Sequence, residues 1–343
     1  MGYKERQLVK IVKEICEEDG IKFESFSDNW IIQLTNKEGK KALIYGYKFP
    51  NNGAAVSKLC DDKAALSDVL KANGIPCVEH MYFESSKSPM VGEEGIWTTL
   101  LNMLDKNGKL VLKTNSGSGG NNVYKCETKK ELEAATFEIL KSHRSMTVAP
   151  FIDIDNEYRI IVQNNRALMI YAKQRPNVVG DGVSTVEELI NKNELQEIEV
   201  LPTIDLKYIP SKDEVVTISW KHNLGQGSLP IPVKNPILLK KLANFALVTA
   251  NKLNLNFASI DVVKDKNKGF KILEINSGIM MESFSKQNED SYEIAKHIYR
   301  SAIYDYFDMP MKDNKKTIYE FFSEKMIEEK VEKENERRTR KTK

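Results

Sequence analysis

The sequence has only four cysteines, Cys16, Cys60, Cys77 and Cys126, and none forms a Cys-x-x-Cys pair. This spacing indicates neither a structural zinc site nor a disulfide framework, and is that expected of reduced thiols in a cytoplasmic protein. The four histidines, His80, His143, His222 and His297, are too dispersed for a metal site. Three of them are expected on helices or surface turns, and only His222 stands beside another candidate, Asn223. No stretch approaches the ~20 apolar residues of a membrane span. The opening MGYKERQLVKIVKEICEEDG is charged and amphipathic, without the apolar run of a signal peptide. An excess of charge of one sign is also missing: 51 basic against 49 acidic side chains leave +2. The molecule therefore carries no broad field for nucleic acid or an anionic membrane. No Ser-His-Asp or Cys-His signature supplies a side-chain nucleophile.

What is present suits a globular chain of two or three lobes, since 343 residues exceed one average domain and 41% are hydrophobic. Leu8, Ile11, Val12 and Ile15 predict a helix that Gly20 stops, followed by a hairpin of Trp30 to Thr35 and Lys41 to Tyr45 around Asn36-Lys-Glu-Gly39. A second helix is expected from Ser57 to Asn73-Gly74. Leu110 to Lys113 reads as a strand, Asn115 to Asn122 as a glycine-rich loop, Val123-Tyr124 as a short strand, and Thr128 opens a helix through Leu140. Tyr158 to Gln163 and Ala167 to Ala172 form a hairpin turning at Asn164-Asn165, Asn235 to Leu253 a helix, and Ser259 to Val263 with Phe270 to Ile275 another hairpin. Helices alternating with hairpins place the chain in the α+β class with antiparallel sheets. The expected divisions are an N-terminal helix and hairpin over 1–56, a main domain over 57–310 with a lid subdomain at about 98–147, and a charged helical tail over 311–343.

Three patterns carry chemistry. A tight register of the last hairpin sets Asp261 opposite Glu274, and period-two alternation puts Asn276 on the same face, while Leu273 and Ile275 face the core. Two carboxylates and an amide oxygen suit Mg²⁺, which takes hard oxygens and fills its octahedron from water and phosphate. The strand through Lys113 delivers one lysine into Asn115-Ser116-Gly117-Ser118-Gly119-Gly120-Asn121, a cation beside several backbone N–H groups, which is how polyphosphate is cradled. The lysine precedes the glycines, so this is not the Gly-x-x-x-x-Gly-Lys-Ser/Thr phosphate loop. Arg175 precedes Gly180-Asp181-Gly182, after which Ser184 or Thr185 caps a helix; its guanidinium suits a phosphate or carboxylate.

Taken in order, Lys63, Lys113 with its glycine loop, Arg175 with Gly180-Asp181-Gly182, and Asp261 to Asn276 resemble the ATP-grasp superfamily. Within it, Arg175-Pro-Asn-Val-Val-Gly-Asp-Gly followed by Ser-Thr-Val-Glu-Glu-Leu-Ile is similar to the ligase domain of cyanophycin synthetase and to the ATP-grasp part of bifunctional glutathione synthetases, from about Ser57 to Phe307. The resemblance implies two α+β lobes holding ATP between them. It implies Lys63 and Lys113 as phosphate contacts, Ser116, Gly117, Ser118, Gly119, Gly120 and Asn121 as a mobile loop over the phosphates, and Phe151 and Ile152 as the adenine connection. Glu157 would accept from the ribose hydroxyls, with Asp261, Glu274 and Asn276 holding Mg²⁺ or Mn²⁺. Arg159, Arg175 and Asn223 would stand near the reacting groups. Ala149-Pro150 replaces the acidic residue that relatives place before the adenine connection, so backbone alone would meet the adenine amino group. The implied activity is an ATP- and Mg-dependent carboxylate-amine ligase acting through an acyl phosphate on an amino acid or small peptide. An ATP-grasp small-molecule kinase, or a nucleotide-binding module without catalysis, is the alternative. Small-molecule carboxylate and amine substrates are the expected partners, and the resemblance admits a homodimer.

Overall fold

The computed structural model describes residues 5–85, 95–117, 120–265 and 269–311. The expected tail over 312–343, and Ser118 and Gly119 of the glycine loop, lie outside these residues. Helix α1 (Gln7–Asp19) buries Leu8, Ile11, Val12 and Ile15, and Gly20 ends it in the left-handed conformation. Strands β1 (Lys22–Phe26), β2 (Ile31–Thr35) and β3 (Lys41–Tyr45) make an antiparallel sheet in that order. The expected hairpin thus has a third strand, whose largely exposed Lys-Phe-Glu-Ser-Phe run gives little alternation to read. The single helix expected from Ser57 is two, α2 (Ala54–Leu59) and α3 (Lys63–Ala72). Asp62 starts the second by accepting the Ala65 N–H at 2.9 Å, so Lys63 stands on its first turn.

A small lobe follows. Strands β4 (Met81–Glu84), β5 (Leu110–Thr114), β6 (Val123–Cys126) and β7 (Ser145–Pro150) form an antiparallel sheet in the order β4-β7-β5-β6. Helices α4 (Ile96–Asn107) and α5 (Lys129–Leu140) close a core of its own around Leu100, Leu112, Leu132 and Ile139. A capping box between Thr128 and Glu131 opens α5. Because the sheet begins at Met81, this lobe extends ahead of the expected 98–147.

The large lobe is built on strands β8 (Ile154–Gln163) and β9 (Arg166–Gln174), joined by a turn whose Asn164 and Asn165 both take positive φ. A minor sheet of β10 (Asn177–Val179) and β11 (Val215–Thr217) encloses α6 (Val186–Lys192), capped by Thr185. Next come a 3₁₀ turn (Leu224–Gln226), β12 (Leu229–Pro232), α7 (Pro236–Leu253), β13 (Phe257–Asp265), β14 (Gly269–Asn276), α8 (Glu282–Ser285) and α9 (Glu289–Tyr306). The five-stranded antiparallel sheet has the order β12-β9-β8-β13-β14. One face packs Ile160, Val162, Ile260 and Val262 against Leu242 and Ala246 of α7. The other is apolar at one end, where Ile161, Met169 and Phe257 meet α1, α9 and the first sheet. The segment expected as a separate N-terminal region therefore shares a core with the last helix, tied further by Lys296 to Glu14 and Glu18. Among the described residues no helix is long and apolar enough to cross a membrane, and all four cysteines are free thiols.

Removing the cap that starts α3 should be measurable. Asp62→Ala is expected to lower stability by about 1 kcal/mol in urea denaturation, and no loss would show that the α2–α3 break does not depend on this side chain.

Candidate active site

A cavity of about 580 Å³ lies between the small-lobe sheet and the five-stranded sheet. Its apolar wall comes from Ala149, Phe151 and Ile152, where β7 leaves the small lobe, and from Val263 and Leu273 of the hairpin. The Phe151 N–H donates to the Lys109 carbonyl at 3.0 Å, and its ring meets Trp220 edge-on at 6.0 Å. Leu273 faces this wall and not the core, contrary to the alternation read from the sequence. The register steps from Asp261↔Glu274 to Val262↔Ile272, a bulge that leaves Leu273 unpaired and turns it to the cavity, while Ile275 stays in the core.

The polar end of the sheet face is a buried charge network. Asp261 pairs in register with Glu274 on one side and Arg159 on the other. Arg159 donates to both oxygens of Asp261, at 2.8 and 2.7 Å, and Lys173 Nζ donates to Asp261 Oδ2 at 2.7 Å. Lys173 also forms an ion pair with Glu157. Asp261 has no exposure, and although burial pushes its carboxyl up, Arg159 and Lys173 outweigh this and hold it well below the usual range. Burial raises Glu157, against the pull of Lys173. Burial and Arg159 work to lower Lys173, but the surrounding carboxylates keep it above the ordinary lysine value.

Of the three oxygen ligands read from the sequence, Glu274 and Asn276 line the cavity, with Asn276 Nδ2 donating to Glu274 Oε1 at 3.2 Å. Asp261 sits beneath, shared between two cations. Glu157 lines the cavity too, with its carboxylate on Lys173. Lys173 escaped the sequence reading because the turn at Asn164-Asn165 by itself sets Glu157 opposite Ala172, and a bulge between Ile161 and Val162 shifts the partner to Lys173.

Lys113 and Lys63 approach from the opposite side. Lys63 Nζ donates to the carbonyls of Asn115 and Gly117 at 3.2 and 2.9 Å, stitching α3 to the glycine loop. Lys113 is buried, and among the described residues neither lysine has a carboxylate within ion-pair distance. Burial first, and then Lys63, bring the Lys113 ammonium down to about 8, against the pull of Glu274 and the other carboxylates. Gly117, Gly120 and Asn121 line the cavity, while Ser116 is exposed on the loop. Gly120 has φ +72, and a Cβ there would fall 2.0 Å from Asn223 Nδ2. Gln226 Nε2 donates to the Gly120 carbonyl at 3.4 Å, so the loop rests on the Asn223 segment.

Arg175, His222 and Asn223 complete that side. His222 Nδ1 donates to the Lys173 carbonyl at 2.7 Å, and burial with Arg175 nearby lowers its imidazole to about 4. His80, expected on a helix or surface turn, is instead buried against the cavity. Its Nε2 has no hydrogen-bond partner among the described residues, and burial with Lys113 and Lys63 holds it well below the ordinary histidine value.

No family model matches the sequence, and no curated protein matches it. Among solved structures, a bifunctional glutathione synthetase from Pasteurella multocida is similar, with a TM-score of 0.53 at 15% identity, over 86% of this chain and 43% of that one. The chain thus spans less than half the length of that enzyme. A D-alanine–D-alanine ligase from Bacillus anthracis matches with a TM-score of 0.48 at 16% identity, over 72% of this chain and 69% of that one.

Asp261→Asn would leave Arg159 and Lys173 with Glu157 as their only charged partner in the network. Urea denaturation without nucleotide or metal is expected to show a loss of roughly 3–5 kcal/mol, and a loss below about 1 kcal/mol would mean the network contributes little.

Proposed function

We propose that this chain, which has the ATP-grasp fold, is an ATP- and magnesium-dependent ligase that joins a carboxylate to an amine through an acyl phosphate. The observation that carries the reading is Lys113, a buried ammonium facing a cavity with Lys63 beside it and no carboxylate in contact with either among the described residues. A buried cation without a counter-charge is costly, and a polyphosphate offsets that cost. The apolar wall of Ala149, Phe151, Ile152 and Leu273 suits a flat purine, and no acidic side chain stands at Ala149-Pro150 to meet its amino group.

The residues present fit magnesium. Glu274 and Asn276 offer hard oxygens to the cavity, with Asp261 beneath them. Among the described residues no group of three His, Cys, Asp or Glu side chains stands close enough to hold a metal alone, so nucleotide oxygens would complete the shell. Bound there, the ion supplies positive charge against the phosphate oxygens.

In the proposed reaction a substrate carboxylate oxygen takes the γ-phosphoryl group and ADP departs. The amine then attacks the acyl carbon, and phosphate leaves. Lys63 and Lys113 reduce repulsion between the phosphates and the incoming carboxylate. Arg159 is committed to Asp261, whereas Arg175 lines the cavity with no ion pair among the described residues, which makes Arg175 the group to meet the oxyanion. The glycine loop resting on Asn223 keeps water from the acyl phosphate.

The test is ADP release with pooled amino acids and dipeptides, followed by mass spectrometry of the product. An amide with amine-dependent ADP release is expected; a stable phosphorylated product without amine dependence would overturn the ligase. Glu274→Gln should keep the fold and lose turnover by at least roughly a hundredfold, and full activity would remove Glu274 from the metal site. Lys113 is protonated below about pH 8 and loses its charge above it. Affinity for Mg-ATP is therefore expected to be highest below that pH and to fall as the pH rises through it. Lys113→Met should weaken binding by roughly tenfold and flatten this dependence in calorimetric titrations.

A further inference from the structure

The cavity continues past Asn276. The chain leaving β14 passes Gly278, which pairs with Lys48, and Ile279, whose N–H donates to the Tyr47 carbonyl at 3.0 Å. The turn after β3 is thereby joined to the end of the charged hairpin, and Trp30, Tyr45, Tyr47 and Met280 line that part of the cavity. Trp30 and Tyr45 are nonetheless 44% and 60% exposed, an unusual fate for large aromatic side chains.

Trp30 is also held in place. Gly46 takes φ +60, and a Cβ on it would lie 2.9 Å from the indole, so the absence of a side chain there lets the ring lie flat over the turn. The Gly46 N–H donates to the Trp30 carbonyl at 2.9 Å, and the Tyr45 ring meets the indole edge-on at 6.2 Å. Arg6 lies 4.9 Å from the indole ring and 5.0 Å from the Tyr47 ring while donating to the Gly46 carbonyl at 2.7 Å. Behind them Glu282 accepts from Tyr47 Oη at 3.2 Å and from the N–H groups of Gln7 and Leu8, fixing the start of α1 to the same wall. An immobilised, exposed indole on a cavity wall has already lost the freedom that binding would otherwise cost.

The apolar surface runs on beyond the cavity. Tyr45 stands opposite Ile31, and Ile31 opposite the half-exposed Phe26, across the outer face of the first sheet. With strands about 4.8 Å apart this row spans about 10 Å, the length of about three extended residues. A free amino acid has one side chain and would leave most of the row uncovered.

We propose that Trp30, Tyr45, Met280 and the row to Phe26 form a subsite for a peptide substrate with bulky apolar side chains, those of alternate residues lying on the row, whose reacting end enters the cavity toward Glu274 and Asn276. This rests on the ligase reading and names its substrate class. Calorimetry on the full chain with Leu-Leu-Leu, Gly-Gly-Gly and free leucine tests it. Leu-Leu-Leu is expected to bind at least roughly tenfold tighter than either of the others. Trp30→Ala should erase that advantage while leaving Mg-ATP affinity unchanged, and Phe26→Ser, a surface change outside the cavity, should weaken Leu-Leu-Leu alone. Equal binding of Leu-Leu-Leu and Gly-Gly-Gly, or a preference that survives both substitutions, would overturn the subsite. Trp30-dependent binding without peptide-stimulated ADP release would sustain the subsite and remove the ligase. Peptide-stimulated release indifferent to Trp30 would do the reverse.

Discussion

Two carboxylates and two cations, Asp261, Glu157, Arg159 and Lys173, are buried together on one face of the five-stranded sheet, and the geometry of the cavity depends on their pairing. Taking four charges out of water is costly, and the cost is met only when the charges cancel and every oxygen near them receives a donor. Cancellation here is complete, two against two. Loss of one member leaves an uncompensated charge at the floor of the cavity, so the network behaves as a unit that locks β8, β9 and β13 in register.

Because that set is neutral, the remaining charges around the cavity determine what it attracts. Lys113, Lys63 and Arg175 stand without ion pairs among the described residues, and Glu274 is a half-buried carboxylate lining the same cavity. The surplus is positive and local, in a molecule whose total charge is only +2. This is the electrostatic basis for reading the cavity as a polyphosphate site, and it separates Asp261, which stabilises the sheet face, from Glu274, which meets the cavity. The N-terminal helix and sheet add a wall of different character, aromatic and rigid, where β14 ends. A polar zone next to an apolar wall suits a ligand with both kinds of surface.

Much of this was legible locally. That Asp261 and Glu274 lie on the two arms of one short hairpin was legible, although a bulge sets their register, and the caps at Thr128, Thr185 and Asn235 follow from side chains that compete for helix N–H groups. Local patterns failed where one residue outweighed periodicity. Asp62 divides an apolar run that reads as one helix, and a bulge turns Leu273 from core to cavity. His80 shows the same limit: nothing in Val78-Glu79-His80-Met81 signals that its ring is buried beside two lysines.

The sequence alone determined that Asp261 and Glu274 lie on the two arms of one hairpin, since strand and turn preferences are properties of neighbouring residues, whereas the bulge that settles their face belongs to the fold. Only the tertiary structure decided which of the charges on that face cancel. Arg159 and Lys173 reach Asp261 across strands that the sequence separates by 102 and 88 residues, and whether a carboxylate pairs with an arginine or looks into a cavity depends on burial and on distances of a few ångströms between such strands.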